Sequence, residues 1–234
     1  MSSFFHTILS QPLFNLLVGL YNVLPGNDLG LAIICLTLLI KLVFLPLTIK
    51  SLKSTREMSE LQPKIQELQT KHKDDKQALA QATMALYKEH KVNPLSGCLP
   101  ILIQLPILFA LYRVFINGVK PESLADLYVF VHNPGALNHI AFGFLDLAVK
   151  NPIMAITAGV LQGIQSWLAA KNQKPPAPGS APNPALAMTK QMMYIFPVMI
   201  TFISWSLPAG LVLYWITTTA FSIFEQLYIR RSNA

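Results

Sequence analysis

Five apolar blocks constrain what this chain can fold into. A helix rises about 1.5 Å per residue, so crossing the roughly 30 Å hydrocarbon core of a bilayer takes about 20 apolar residues. Blocks of this order lie at 29–50, 94–119, 152–170, 191–207 and 208–229. Charged residues make up 12% of the chain, about half the fraction usual in soluble domains. The expected fold is an all-α membrane protein with five transmembrane helices.

The block edges carry helix-start chemistry. Asn93-Pro94 and Asn151-Pro152 each offer an Asn cap followed by Pro at the first helical position. Pro208 divides the last apolar stretch and predicts a tight turn between the fourth and fifth spans. The apolar run at 140–149 is short and contains Asp146, so it reads as interfacial. Residues 1–28 read as an N-terminal extracytoplasmic interfacial segment, with an apolar helical pattern interrupted by Pro12. No Lys or Arg precedes Lys41, so the basic region of a secretory signal is missing.

Lys and Arg set the expected orientation. Lys53, Arg56, Lys64, Lys71, Lys73, Lys76, Lys88 and Lys91 fall at 51–93. Lys171, Lys174 and Lys190 fall in the linker at 171–190, and Arg230 and Arg231 in the tail at 230–234. The loop at 120–151 holds only Lys120 and Lys150. This pattern places the N-terminus outside and the C-terminus in the cytoplasm, with 120–151 extracytoplasmic. The isoelectric point near 9.4 does not indicate a specific nucleic-acid partner, because the basic residues flank apolar blocks.

Residues 51–93 read as a cytoplasmic helical hairpin. Met58, Leu61, Ile65 and Leu68 form one apolar seam, and Leu79, Ala82 and Leu86 the other. Ser54 with Glu57 matches a capping box, and Asp74 or Asp75 suits the cap of the second helix. The linker is rich in Pro, Ala, Gly and Ser and reads as flexible.

Lys41 lies inside the first span, about 18 Å from its start at helical rise. A Lys at that depth costs roughly 2.5–3.5 kcal/mol and faces a partner or water. No Asp or Glu falls mid-span, and Glu225 reads as lying near the far end of the fifth. The expectation is an unpaired cation in a hydrated groove, not one that snorkels to the interface. Thr37, Gln104, Gln162, Gln165, Trp215, Thr218 and Thr219 are the candidate groove residues beside Lys41, with Thr48, Ser166 and Ser222 also within reach of such a space. Singly, such residues more often make helix–helix hydrogen bonds. Pro100, Pro106 and Pro197 would kink their helices and help open it.

No catalytic residue, cofactor site or metal site is expected. Phosphate-loop, zinc-protease and nucleophile-elbow motifs are missing, and the five His show no ligand spacing. Cys35 and Cys98 read as small buried hydrophobes. Thr37 precedes Lys41 by one turn, which allows a hydroxyl–Lys dyad, but such a Thr usually bonds its own backbone.

The motifs are specific as a set. GLAIICLTLLIKLVFLPLTIKS, LQPKIQELQ, MALYKEHKVNPLSGCLPILIQLPILFALYRV and FPVMITFISWSLPAGLVLYWITTTAFSIFEQ cover most of 29–229. In this the chain resembles the YidC family of membrane protein insertases, which includes the mitochondrial and chloroplast oxidase-assembly relatives. The resemblance implies a five-helix insertase core whose hydrophilic groove opens to the cytoplasm and to lipid. It implies that Lys41 stands where the family usually has Arg and attracts acidic groups of a substrate's tail. Gln165 and Trp215 match groove positions, and Thr219 stands near a family Asn. The implied partners are nascent membrane-protein substrates and the lipid bilayer, with the ribosome, signal recognition components and the Sec translocon as further candidates. The implied location is the bacterial plasma (inner) membrane. The long periplasmic domain of many members and a basic ribosome-binding tail are not part of the sequence. The rival reading is a small polytopic channel or transporter, weakened by the missing mid-span acid and by the lack of paired broken helices.

Overall fold

The computed structural model describes residues 6–72, 75–93, 104–112, 121–171 and 184–232. Pro94, Cys98, Pro100, Lys120, most of the second apolar block and most of the linker lie outside them. A short π-helical turn at His6–Ser10 leads into α1 (Gln11–Val23). Then come α2 (Leu29–Glu60), α3 (Gln62–Lys71), α4 (Lys76–Glu89) and the helical stretch α5 (104–112). A loop carries β1 (Ile140–Ala141) and β2 (Leu145–Asp146), and α6 (Pro152–Lys171), α7 (Pro184–Ser206) and α8 (Ala209–Ser232) complete the chain.

By length and apolarity α2 and α6 can cross a bilayer, and Met193–Ser206 within α7 is a shorter apolar helix. Large apolar side chains cover the outside of the bundle. Val43, Ile153, Val160, Val198, Phe202 and Phe224 are all more than half exposed. A surface of this kind needs an apolar solvent.

Several local expectations meet their physical reason. Asn151 caps α6 through Met154 N at 3.1 Å. Asp75 caps α4, accepting from Gln77 N and Ala78 N. Pro208 ends the fourth apolar block, and α8 restarts at Ala209. The 140–149 run forms a two-stranded antiparallel hairpin and no helix.

Other expectations need correction. Pro12 lies in the first turn of α1, directly after the π-helical turn at His6–Ser10, so it marks a change of helical pitch and not a break in the chain's helical course. The Ser54–Glu57 pair starts nothing, because α2 runs unbroken to Glu60. No Gly or Pro between Ile49 and Glu60 interrupts it. The break falls at Leu61, with Pro63 in the first turn of α3. Residues 184–190, read as linker, are already helical in α7.

The main core lies at the end of the bundle closed by the 121–151 loop, called here the loop end. It joins Phe14, Leu17, Val18 and Tyr21 of α1 to Leu29, Ala32, Ile33 and Leu36 of α2. Ile107 and Leu111 of α5, Leu137, Ala141 and Leu147 of the loop, and Leu211 and Tyr214 of α8 complete it. Asp28 ties two layers together: it caps α2 through Leu31 N and accepts from Phe142 N in the β-hairpin. Gly30 lies so close to that hairpin that an added Cβ would meet Ala141 Cβ at 2.6 Å. Asn15 bridges α1 to the loop by donating to Asp126 O and accepting from Tyr128 N. The start of α8 is pinned there too, by Ala209 N to Val149 O and Gly210 N to Leu147 O.

A second small core joins α6, α7 and α8 through Ala158, Ile200 and Val212. Gly159 permits the α6–α7 approach, since a Cβ there would stand 1.8 Å from Thr201 Oγ1. The hairpin has its own shallow core of Leu61, Ile65 and Val92, backed by Met58, Leu86 and Tyr87. Burial pushes the Tyr87 hydroxyl above its ordinary pKa.

Candidate functional site

Beyond the packed end, α2 delivers Lys41 to the side of a cavity of about 300 Å³. Its walls come from α2 (Lys41), α5 (Gln104, Leu105, Leu108), α6 (Gln162, Gln165), α7 (Phe196) and α8 (Trp215, Thr218, Thr219, Ser222). At helical rise these positions on α6, α7 and α8 stand roughly 9–20 Å from the loop end, at mid-bundle depth. Periodicity explains the α8 contribution, since 215, 218, 219 and 222 are separated by three, one and three residues and share one face.

The polar groups are partly satisfied within the protein. Gln104 Nε2 donates to the Tyr214 hydroxyl, which is 2% exposed. Gln162 Nε2 donates to Gln165 Oε1 at 3.1 Å. Lys41 Nζ donates to Ser222 Oγ at 2.7 Å and lies 5.8 Å from the centre of the Phe221 ring.

Lys41 is not unpaired. Its ammonium lies 3.6 Å from Glu225 Oε2, an ion pair in which the two side chains are 14% and 2% exposed. The sequence reading placed Glu225 too far down the fifth span. Depth counted along each helix misleads by about 6 Å here: residue 41 lies 12 residues into α2, and residue 225 lies 16 into α8. The long flexible stem of Lys covers that offset.

Thr37 is the other correction. It is 1% exposed and donates to Ile33 O at 2.6 Å, so it faces packed helix and lines no part of the cavity. Its backbone bond also leaves no hydroxyl–Lys dyad. The other candidates, Lys41, Gln104, Gln162, Gln165, Trp215, Thr218 and Thr219, are brought together around one space. Sequence reasoning missed Phe196, Leu105 and Leu108, which line the space, and Tyr214, which holds Gln104 from the core. An apolar or aromatic residue inside an apolar block carries no signal that distinguishes a cavity wall from a core.

What the arrangement can do is bind polar chain inside an apolar shell. It offers one cation, amide dipoles and hydroxyls, with an indole and a phenyl ring as walls. Among the described residues no cluster of His, Cys, Asp or Glu is arranged to hold a metal.

Comparison with known proteins agrees with this architecture. The family described as 60Kd inner membrane protein matches residues 19–234. The membrane protein insertase YidC of Fusobacterium nucleatum is 40% identical over 208 residues, covering 89% of this chain and 89% of that protein. The YidC insertase of Francisella tularensis subsp. novicida is 43% identical over the same share of this chain, which spans only 33% of that longer relative. A crystal structure of an active YidC insertase, with its first transmembrane domain resolved, superposes with a TM-score of 0.56 at 29% identity. That match covers 85% of this chain and 41% of the other. The chain belongs to the 60Kd inner membrane protein family, the family of YidC-type membrane protein insertases. Its class of function is membrane protein insertion, and the family it belongs to is described as one of inner membrane proteins.

Proposed function

We propose that this chain inserts membrane proteins by lodging the polar, translocated tail of the substrate in the cavity beside Lys41. The cavity itself carries this reading, because it sets one cation among polar side chains at mid-bundle depth. Five helices cross the bilayer, the hairpin at 51–93 lies in the cytoplasm, the N-terminus lies outside and the C-terminus inside. The Lys and Arg distribution supports that orientation. The hairpin then faces the ribosome, signal recognition components and the Sec translocon as the substrate arrives.

The energetics need no nucleotide. Burying the substrate's apolar segment supplies about 25 cal/mol per Å². An acidic group moving outward gains about 2.3 kcal/mol per charge per 100 mV across an outside-positive membrane. The protein lowers the barrier: the cavity shortens the apolar distance that the tail must cross, and Lys41 gives it a transient electrostatic partner. The apolar substrate helix then leaves sideways into lipid.

The test is reconstitution. Proteoliposomes should insert a short-tailed single-span substrate without ATP, read by protease protection. Solute or ion flux with no insertion would overturn the reading in favour of a channel or transporter. Lys41→Arg should retain insertion and Lys41→Glu should abolish it.

A further inference from the structure

Glu225 sits behind Lys41 and not in the cavity. Lys41 and Ser222 line the space, whereas Glu225 does not. Its side chain is 2% exposed, and neither carboxylate oxygen accepts a hydrogen bond among the described residues. What it has is the Lys41 ammonium at 3.6 Å. Phe221, Ser222 and Glu225 lie within about one turn of α8 and meet that ammonium from the same helix.

A buried carboxylate without hydrogen bonds is costly, and its charge partner is what makes it tolerable. The reverse influence follows from the same geometry. A negative group behind an ammonium reduces the attraction that the ammonium exerts on a second negative group in front. An ammonium has three N–H donors. One goes to Ser222 Oγ, another side faces Glu225, and the cavity side is left for an incoming group.

We propose that Glu225 is a positioning residue that sets the strength of the Lys41 grip. It holds the ammonium at the cavity wall and attenuates its pull, so that an acidic substrate tail is captured and also released. This rests on the reading that Lys41 receives carboxylates in the cavity. The two outer members of the resulting triad, Glu225 and the substrate carboxylate, share one cation from opposite sides.

The experiment compares a stalled single-span substrate carrying Asp in its tail with the same substrate carrying Asn. Capture is read as photo-cross-linking yield in proteoliposomes, and release as the rate of protease protection after the stall is lifted. Wild type should favour the Asp tail. No preference in wild type would sink the capture reading itself, and this inference with it. Given that preference, Glu225→Gln should raise Asp-tail capture about five- to tenfold, a usual size for coupling between two sites. It should slow release of the Asp tail and leave the Asn tail unchanged. The same exchange in a Lys41→Arg background guards against loss of the Lys proton, since Arg keeps its charge. Glu225→Asp should restore much of the wild-type selectivity. Unchanged or weaker Asp-tail capture after removing Glu225 from the Arg background would overturn the proposal. So would an equal change for both tails, which is what a purely structural ion pair would give.

Discussion

Near its start α2 is packed on its buried face, and a few turns further along it borders an open space. Around Leu29, Ile33 and Leu36 the neighbours are α1, α5, α8 and the 121–151 loop, and the side chains are buried. Around Lys41 the neighbours are mixed, Ser222 and Glu225 beside the Phe221 ring, and a cavity lies between the helix and α6 and α7. The two regions use different cohesive forces. The loop end is held by dispersion and apolar burial, with Asp28 and Asn15 locking the layers. The middle is held by the small α6–α7–α8 core on one side and, around the unfilled volume, by a few hydrogen bonds and one ion pair. Filling a space costs a bundle less than leaving it open, so the open region is paid for by the packed one.

Substitutions can break this contrast, and the largest effect is expected in the hollow. Lys41→Glu sets two carboxylates against each other and should cost about 2–5 kcal/mol in capture, the range for disrupting a buried charge pair. Insertion by protease protection should vanish, and Lys41→Arg should retain it. At the packed end Gly30→Val should cost about 1–3 kcal/mol by overpacking against Ala141. Its signature is a lower melting temperature in detergent, with insertion falling only as folded protein is lost. Asp28→Ala removes a helix cap and a tie to the β-hairpin, for about 1–2 kcal/mol. Limited proteolysis should then cut the 135–150 loop sooner. The smallest effect is expected for Tyr214→Phe, which deletes the acceptor of Gln104 and should cost about 1 kcal/mol in stability. If Gly30→Val cut insertion without lowering stability, the division into a packed support and a working hollow would be wrong.

Much of this division was legible in the residues. The Asn151 and Asp75 caps and the Pro208 turn follow from local rules, and those rules hold here. The polar candidates converge because each lies on one face of its own helix at similar depth. Glu225 and Thr37 show where such reasoning stops. The first needs the relative stagger of α2 and α8, and the second needs the direction in which a short side chain points. Both depend on tertiary packing, which one-dimensional spacing does not contain. The course of α2 past Ser54 was missed for a related reason: a good capping pair is harmless inside a helix that continues on both sides of it.

That course has a mechanical side. From Leu29 to Glu60 there is one helix, with Pro46 inside it, and an interior proline removes a backbone hydrogen bond at the point where a helix bends most easily. A push on the hairpin side of α2 therefore meets Pro46 before Lys41, and the stiffness of that one bend sets how much of it reaches the packed end.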